Sequence, residues 1–201
     1  MTQELFEETP LNNNICVIND KYISEKKNTF HYKSKGKIFA HFQIEDANKK
    51  VLYKHKISNF TGKSTLCDPI TKKVLFKFKS DIHLTNKPYE IIITSMKDDK
   101  EIQTITCNCS FKPSLKGYNC EYEFFNMATE KKELIELRCS TLFSKCSFYY
   151  GRKKENGVLI CQINTLKSCL NCDYKIDIAP GVDTLFMLMI FIETLMIIQA
   201  S

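Results

Sequence analysis

Leu185-Phe-Met-Leu-Met-Ile-Phe-Ile192, followed by Glu193-Thr194 and then Leu195-Met-Ile-Ile198, is the most continuously apolar stretch of this 201-residue chain. How it is buried decides the fold. A membrane span needs ~20 mostly apolar residues. Here the unbroken run is eight residues, and the extended run of fourteen carries Glu193 inside it. A carboxylate near the bilayer centre costs about 2.5 to 3.5 kcal/mol even on the lenient scale. No basic cluster follows to anchor a far end. A half-exposed amphipathic helix does not fit either, because residues 185–192 have no polar face. Fourteen residues are long for a buried strand, and Met and Leu favour helix. A helix that is apolar all round must be enclosed all round. The expectation is a core helix at about 182–198.

The rest of the chain carries the enclosure. From about residue 29 the hydrophobic pattern has period two, the signature of strands. Val74, Phe76 and Phe78 alternate with Leu75, Lys77 and Lys79, and Ser64-Thr-Leu-Cys67 pairs with them across Asp68-Pro69-Ile-Thr71. Similar segments recur at 37–44 and 51–57, 88–94 and 101–107, 118–125 and 134–139, 147–150 and 158–163, and 173–178. Asn156-Gly157 marks a turn, alone or within a longer loop. This reads as a mainly β protein: a closed antiparallel barrel of about twelve strands around the hydrophobic C-terminal helix. Closure also removes exposed strand edges. Residues 1–20 are expected to form a loosely ordered arm, with Ile15-Cys16-Val17-Ile18 able to pin it as an edge strand. Residues 21–201 are expected to form a single barrel domain.

At the last junction, Pro180 stiffens and Gly181 permits the bend from strand to helix. Asp183 stands where a carboxylate accepts the free amides of the first helical turn. Glu193, if enclosed, needs a hydrogen-bond partner or a place near the helix exit.

The N-terminus is acidic and lacks a signal or transit pattern, so the expected location is the cytoplasm, peripheral to membranes, with access to the nucleus open. In that reducing setting the ten cysteines are read as buried thiols. Zinc at Cys107/Cys109 and Cys169/Cys172 is the sharper alternative, disfavoured because all four histidines lie in the first half. No phosphate loop, metalloprotease motif or nucleophile elbow occurs, so neither enzyme activity nor a metal or cofactor is expected.

Two stretches resemble the LURP-one-related family, within the Tubby C-terminal-like group that includes phospholipid scramblases. The first is Phe30-His-Tyr-Lys-Ser-Lys-Gly36-Lys-Ile-Phe39, leading into a hairpin whose turn places Asn48 near the family's glycine. The second is Tyr174-Lys-Ile-Asp-Ile-Ala-Pro-Gly181-Val-Asp183 running into the apolar helix. The resemblance implies a twelve-stranded barrel threaded by that helix, with Gly36 as a structural residue and no catalytic residues. Tubby-like relatives imply phosphoinositide binding by basic residues outside the barrel. Scramblase relatives imply calcium-dependent lipid movement, which is not expected here, since Asn171, Asp173 and Asp177 are too few hard ligands.

The charge agrees with a basic exterior. Residues 21–80 hold fifteen lysines against Glu25, Glu45, Asp46 and Asp68, a balance of +11 within a chain of net +6. Lys33, Lys35, Lys37, Lys54, Lys56, Lys72, Lys73, Lys77 and Lys79 are the candidate lipid-binding residues. The favoured function is a non-enzymatic binding module for anionic phospholipid or phosphoinositide surfaces, as a monomer. The alternative is a protein-interaction or structural domain whose basic wall is incidental. Nucleic acid is disfavoured, because arginine is scarce and no recognition helix is apparent.

Overall fold

The structure, a computed structural model, describes residues 11–34, 41–58, 62–81, 89–114, 117–141, 144–167 and 172–200. The strands are β1 (Asn28–Ser34), β2 (His41–Asp46), β3 (Val51–Ile57), β4 (Ser64–Cys67), β5 (Val74–Asp81), β6 (Tyr89–Lys97), β7 (Lys100–Ser114), β8 (Gly117–Asn126), β9 (Lys131–Ser140), β10 (Lys145–Tyr150), β11 (Val158–Lys167) and β12 (Asp173–Ile178). One helix, α1 (Thr184–Ala200), ends the chain. Each strand pairs antiparallel with its successor, and β12 closes on β1 through pairs such as Phe30 with Ile176. The expected twelve-stranded barrel is the observed one.

The alternation sets the inner face. Phe30 and Tyr32, Ile91 and Ile93, Ile135 and Leu137, and Phe76 and Phe78 are all buried. Turn chemistry sets the hairpins. Asp46 Oδ1 accepts the amides of Asn48 and Lys50 at 2.9 Å. The left-handed residue of that turn is Lys49, at φ 64°, not Asn48. Asp68 holds the next hairpin by accepting from Ile70 and Thr71. Asn156 also takes the left-handed conformation, but as the end of a short 3-10 turn at 153–155. Gly157 then passes so close to Arg152 that a Cβ would stand 2.8 Å from its backbone. The Asn-Gly pair therefore belongs to a longer loop.

The helix is enclosed on every side. Each residue from Leu185 to Leu195 is at most 6% exposed. Burying a large apolar side chain stabilises by about 1.5 to 3 kcal/mol relative to leaving it in water. The barrel and the helix are therefore each other's core. Among the described residues no helix is long and apolar enough to cross a membrane. Thr194 is accommodated: its hydroxyl donates back to the Ile190 carbonyl at 2.5 Å and meets the Tyr122 hydroxyl.

Two expectations change. Residues 1–10 lie outside the described residues, but the Ile15–Ile18 run is not an edge strand. It is a buried strap across one barrel end, with Ile15, Cys16, Val17 and Ile18 all at most 6% exposed. Ile15 N donates to Gly181 O, and Asp183 N to Ile15 O, both at 2.8 Å. On its other side Met127 N donates to Cys16 O at 2.8 Å and Cys16 N to Asn126 Oδ1 at 2.9 Å. The second change concerns sulfur. Cys139 and Cys146 face each other directly across β9 and β10 and form a disulfide, with Cα atoms 4.1 Å apart. The other seven described cysteines are free and buried, as expected.

Candidate functional site

The lysines sort by face. On β3, His55 points into the barrel and is fully buried, so Lys54 and Lys56 point out. On β5, Phe76 and Phe78 point in, so Lys77 and Lys79 point out. Register then brings the strands together: Lys56 lies opposite Thr65, and Thr65 opposite Lys77. Two inter-strand spacings, about 10 Å, separate those two lysines. Residues 51–57, 64–67 and 74–80 contain no Asp or Glu. Lys54 Nζ donates to the Pro69 carbonyl at 3.0 Å, which steadies one end of the patch. Lys72 sits in the β4–β5 turn at φ 62°.

Part of the expected field is locally balanced. Lys73 pairs with Asp98 at 3.2 Å and Lys77 with Glu101 at 3.7 Å. Both pairs are solvated, and such pairs are worth ~0 to 1 kcal/mol, so either lysine can be drawn away by another anion. Lys33 differs. It lies 2.8 Å from Glu45 and 3.9 Å from Asp173, on the far side of β2 from Lys54. Its hydrogen bond to the Glu45 carboxylate raises its pKa. His31 adds a third contact to this cluster, with Nδ1 3.2 Å from Asp173. Lys35, Gly36 and Lys37 lie outside the described residues. The candidate patch thus reduces to Lys54, Lys56, Lys72, Lys73, Lys77 and Lys79 along β3–β5.

The structural residues at the helix start are brought together. Asp183 is the N-cap: its Oδ1 accepts from Phe186 N at 3.0 Å. Its Oδ2 accepts from Ile18 N at 2.7 Å, Val17 N at 3.2 Å and Asn19 N at 3.4 Å. Burial raises its pKa, and these amides pull the other way. Cap and strap are thus held by one carboxylate, a link that the sequence does not signal. Gly181 takes φ 76°, and a Cβ there would meet Asn14 Oδ1 at 3.1 Å. Pro180 precedes it in the same turn.

Glu193 lies inside near β4 and β5. Burial pushes its pKa up to about 7, against the pull of Ser80 and Ser64. Its Oε1 and the hydroxyl of Ser64 both lack a hydrogen bond of good geometry. The partner expected for Glu193 is therefore incomplete. His55 was not singled out from the sequence; its Nδ1 lies 2.8 Å from the Tyr32 hydroxyl. Burial lowers its pKa to about 3, so the ring is neutral. Among the described residues no three His, Cys, Asp or Glu side chains converge to hold a metal ion.

A family model, LURP-one-related, matches residues 28–193. No curated protein matches the chain. An X-ray structure of a protein from Arabidopsis thaliana is similar at 16% identity and a TM-score of 0.55, covering 87% of this chain and 93% of that one. At that identity the likeness speaks for the fold alone.

Proposed function

The chain belongs to the LURP-one-related family, and from that premise we propose that its barrel is a non-enzymatic binding module for anionic phospholipid or phosphoinositide surfaces, docking through the outer wall of β3–β5. One observation carries the reading: Lys54, Lys56, Lys77 and Lys79 point outward from neighbouring strands that contain no acidic residue between 51 and 57, 64 and 67, or 74 and 80. A rigid sheet presents these charges without ordering a loop on binding. Each near-surface lysine adds up to ~1 kcal/mol of attraction to an anionic leaflet. Calcium-dependent lipid movement is not part of the proposal. Asp173 is engaged by His31 and Lys33, and Asp177 by Thr29 and Lys175.

Co-sedimentation with phosphoinositide-containing vesicles at low and physiological salt tests the reading. Binding should appear at low salt and weaken as the Debye length contracts toward ~8 Å. Replacing Lys54, Lys56, Lys77 and Lys79 together by Gln should remove most of it while leaving thermal unfolding unchanged. Absence of binding at low salt sinks the proposal. It would leave the second reading, a protein-interaction or structural domain, which the Lys73–Asp98 and Lys77–Glu101 pairs favour by balancing part of the wall.

A further inference from the structure

The barrel end closed by the strap is incompletely filled. Two cavities of about 160 and 250 Å³ lie side by side there, and both are lined by Lys21 and Tyr22. The smaller is bounded by Ile18, Leu75 and Phe76, with Ser95 and Gln103 as polar wall. The larger is mostly apolar, lined by Phe30, Leu52, Leu185 and Leu188. Tyr22 stands between them, edge-on to Phe76 at 6.2 Å.

Three features of the wall ask for a ligand. Ser95 is 6% exposed, and its hydroxyl has no hydrogen-bond partner. Burying an unpaired hydroxyl is costly, so an acceptor or donor delivered to it is stabilising. The Lys21 ammonium lies 4.8 Å from the Tyr22 ring and pairs with no carboxylate of the described residues. Ile102, 61% exposed, forms an apolar lip on the smaller cavity.

We propose that this mouth binds a single-chain anionic amphiphile of the fatty-acid class, its carboxylate held by Lys21 and Ser95 and its chain running past Tyr22 against Phe30, Leu52, Leu185 and Leu188. The charge complement is Lys21, which pairs with no carboxylate of the described residues. One chain fits and two do not, because the two spaces taken together only reach the lower range of ligand pockets, ~300 Å³ upward. A peptide fits less well. It brings backbone amides and carbonyls that need partners, and the barrel is closed, with every described strand paired on both sides. An alkyl chain needs none. The Tyr53 hydroxyl, pushed up to about 12 chiefly by burial, stays protonated and available to donate from the larger cavity.

This inference does not rest on the lysine wall, so the two fail separately. Isothermal titration of the full chain with dodecanoate, below its micellar concentration, should show saturable binding of one molecule per chain. Lys21→Glu, a change on an exposed residue, should weaken it at least tenfold. Ser95→Leu, which fills the smaller cavity, should do the same. Dodecyltrimethylammonium, with the same chain and opposite charge, should bind no better to the unaltered protein than dodecanoate binds to Lys21→Glu. The variant with Lys54, Lys56, Lys77 and Lys79 replaced by Gln should bind dodecanoate normally. The proposal is overturned by no saturable binding, by affinity unchanged in Lys21→Glu, or by loss of affinity in the wall variant but not in Lys21→Glu.

Discussion

Replacing Asp183 by Ala should cost roughly 3 to 5 kcal/mol, a large share of the stability of an ordinary domain. The side chain caps α1 through Phe186 N, and losing an N-cap costs about 1 kcal/mol. It also satisfies the amides of Val17 and Ile18, which are 2% and 3% exposed and have no water to turn to. Each buried amide left unpaired costs ~1 to 3 kcal/mol. A counterweight exists. Burial disfavours the carboxylate more than the amides favour it, which is why its pKa is raised, so removing the charge returns part of the loss. The expected total therefore sits below the simple sum. Urea unfolding followed by far-UV circular dichroism measures it; at an m-value of ~2 to 3 kcal/mol/M the midpoint should fall by about 1 to 2 M. Asp183→Asn sharpens the test. Asn Oδ1 still accepts from Phe186, but its NH2 group then faces the Ile18 amide, donor against donor. It should recover only the cap. A loss under ~1 kcal/mol for Ala, or full recovery by Asn, would refute the clamp.

Two buried groups should shape the acid limb in opposite senses. The raised pKa of Glu193, about 7 folded against 4.5 unfolded, means the folded state binds the extra proton, so its contribution is present below 4.5 and is lost as pH rises through 7. The lowered pKa of His55, about 3 against 6.5, means the unfolded state binds the extra proton, so its contribution is lost as pH falls from 6.5 toward 3. From these two groups the slopes cancel between pH 4.5 and 6.5; in Glu193→Gln stability should instead rise there by about 1 kcal/mol per pH unit, and a slope unchanged from the unaltered chain would count against a proton on Glu193. Thiol titration of the denatured chain should gain two thiols on reduction for the Cys139–Cys146 pair, and the seven other described cysteines should react without it. Cys139→Ser with Cys146→Ser should cost ~2 kcal/mol, the scale expected for so short a loop, and no change in the unfolding midpoint would deny the bridge a stabilising role.

The parts of the fold legible in the sequence are those whose cause is local. The run from Leu185 to Ile192 has no polar face, and only enclosure reconciles that with water. Phe76 and Phe78 sit two apart, and only a strand puts both on one side. The outward lysines follow from the same rule. His55 was legible too, between two outward lysines at 54 and 56, yet its polarity obscured that it must point inward. What escaped depends on register between distant strands. Lys33 is neutralised because Glu45 and Asp173 arrive from β2 and β12 on either side of it. The disulfide follows from Cys139 falling opposite Cys146, which a one-residue slip would have undone. Ile15–Ile18 alternates like nothing in particular; its place is set by the amides and carbonyls it exchanges with Gly181, Asp183 and Met127.

The two surfaces proposed for this barrel depend on different parts of it, and Asp183 separates them. The lysine wall is fixed by the ladder from β3 to β5, none of which the Asp183 carboxylate touches. The mouth is roofed by the segment that this carboxylate holds: Val17, Ile18 and Asn19 donate to it, and Lys21 and Tyr22 follow after Asp20. Tyr22 is tied a second time, its carbonyl accepting from the Thr184 hydroxyl at 2.9 Å. Asp183→Asn, where it folds, should therefore loosen the strap and weaken dodecanoate binding while leaving vesicle binding through Lys54, Lys56, Lys77 and Lys79 as it was. Hydrogen exchange gives the independent check, since faster exchange at Val17 and Ile18 with unchanged exchange in β4 and β5 is the signature of a roof released from an intact barrel. Equal acceleration in the strap and in those strands would mean that the carboxylate holds the whole barrel, and that wall and mouth do not come apart.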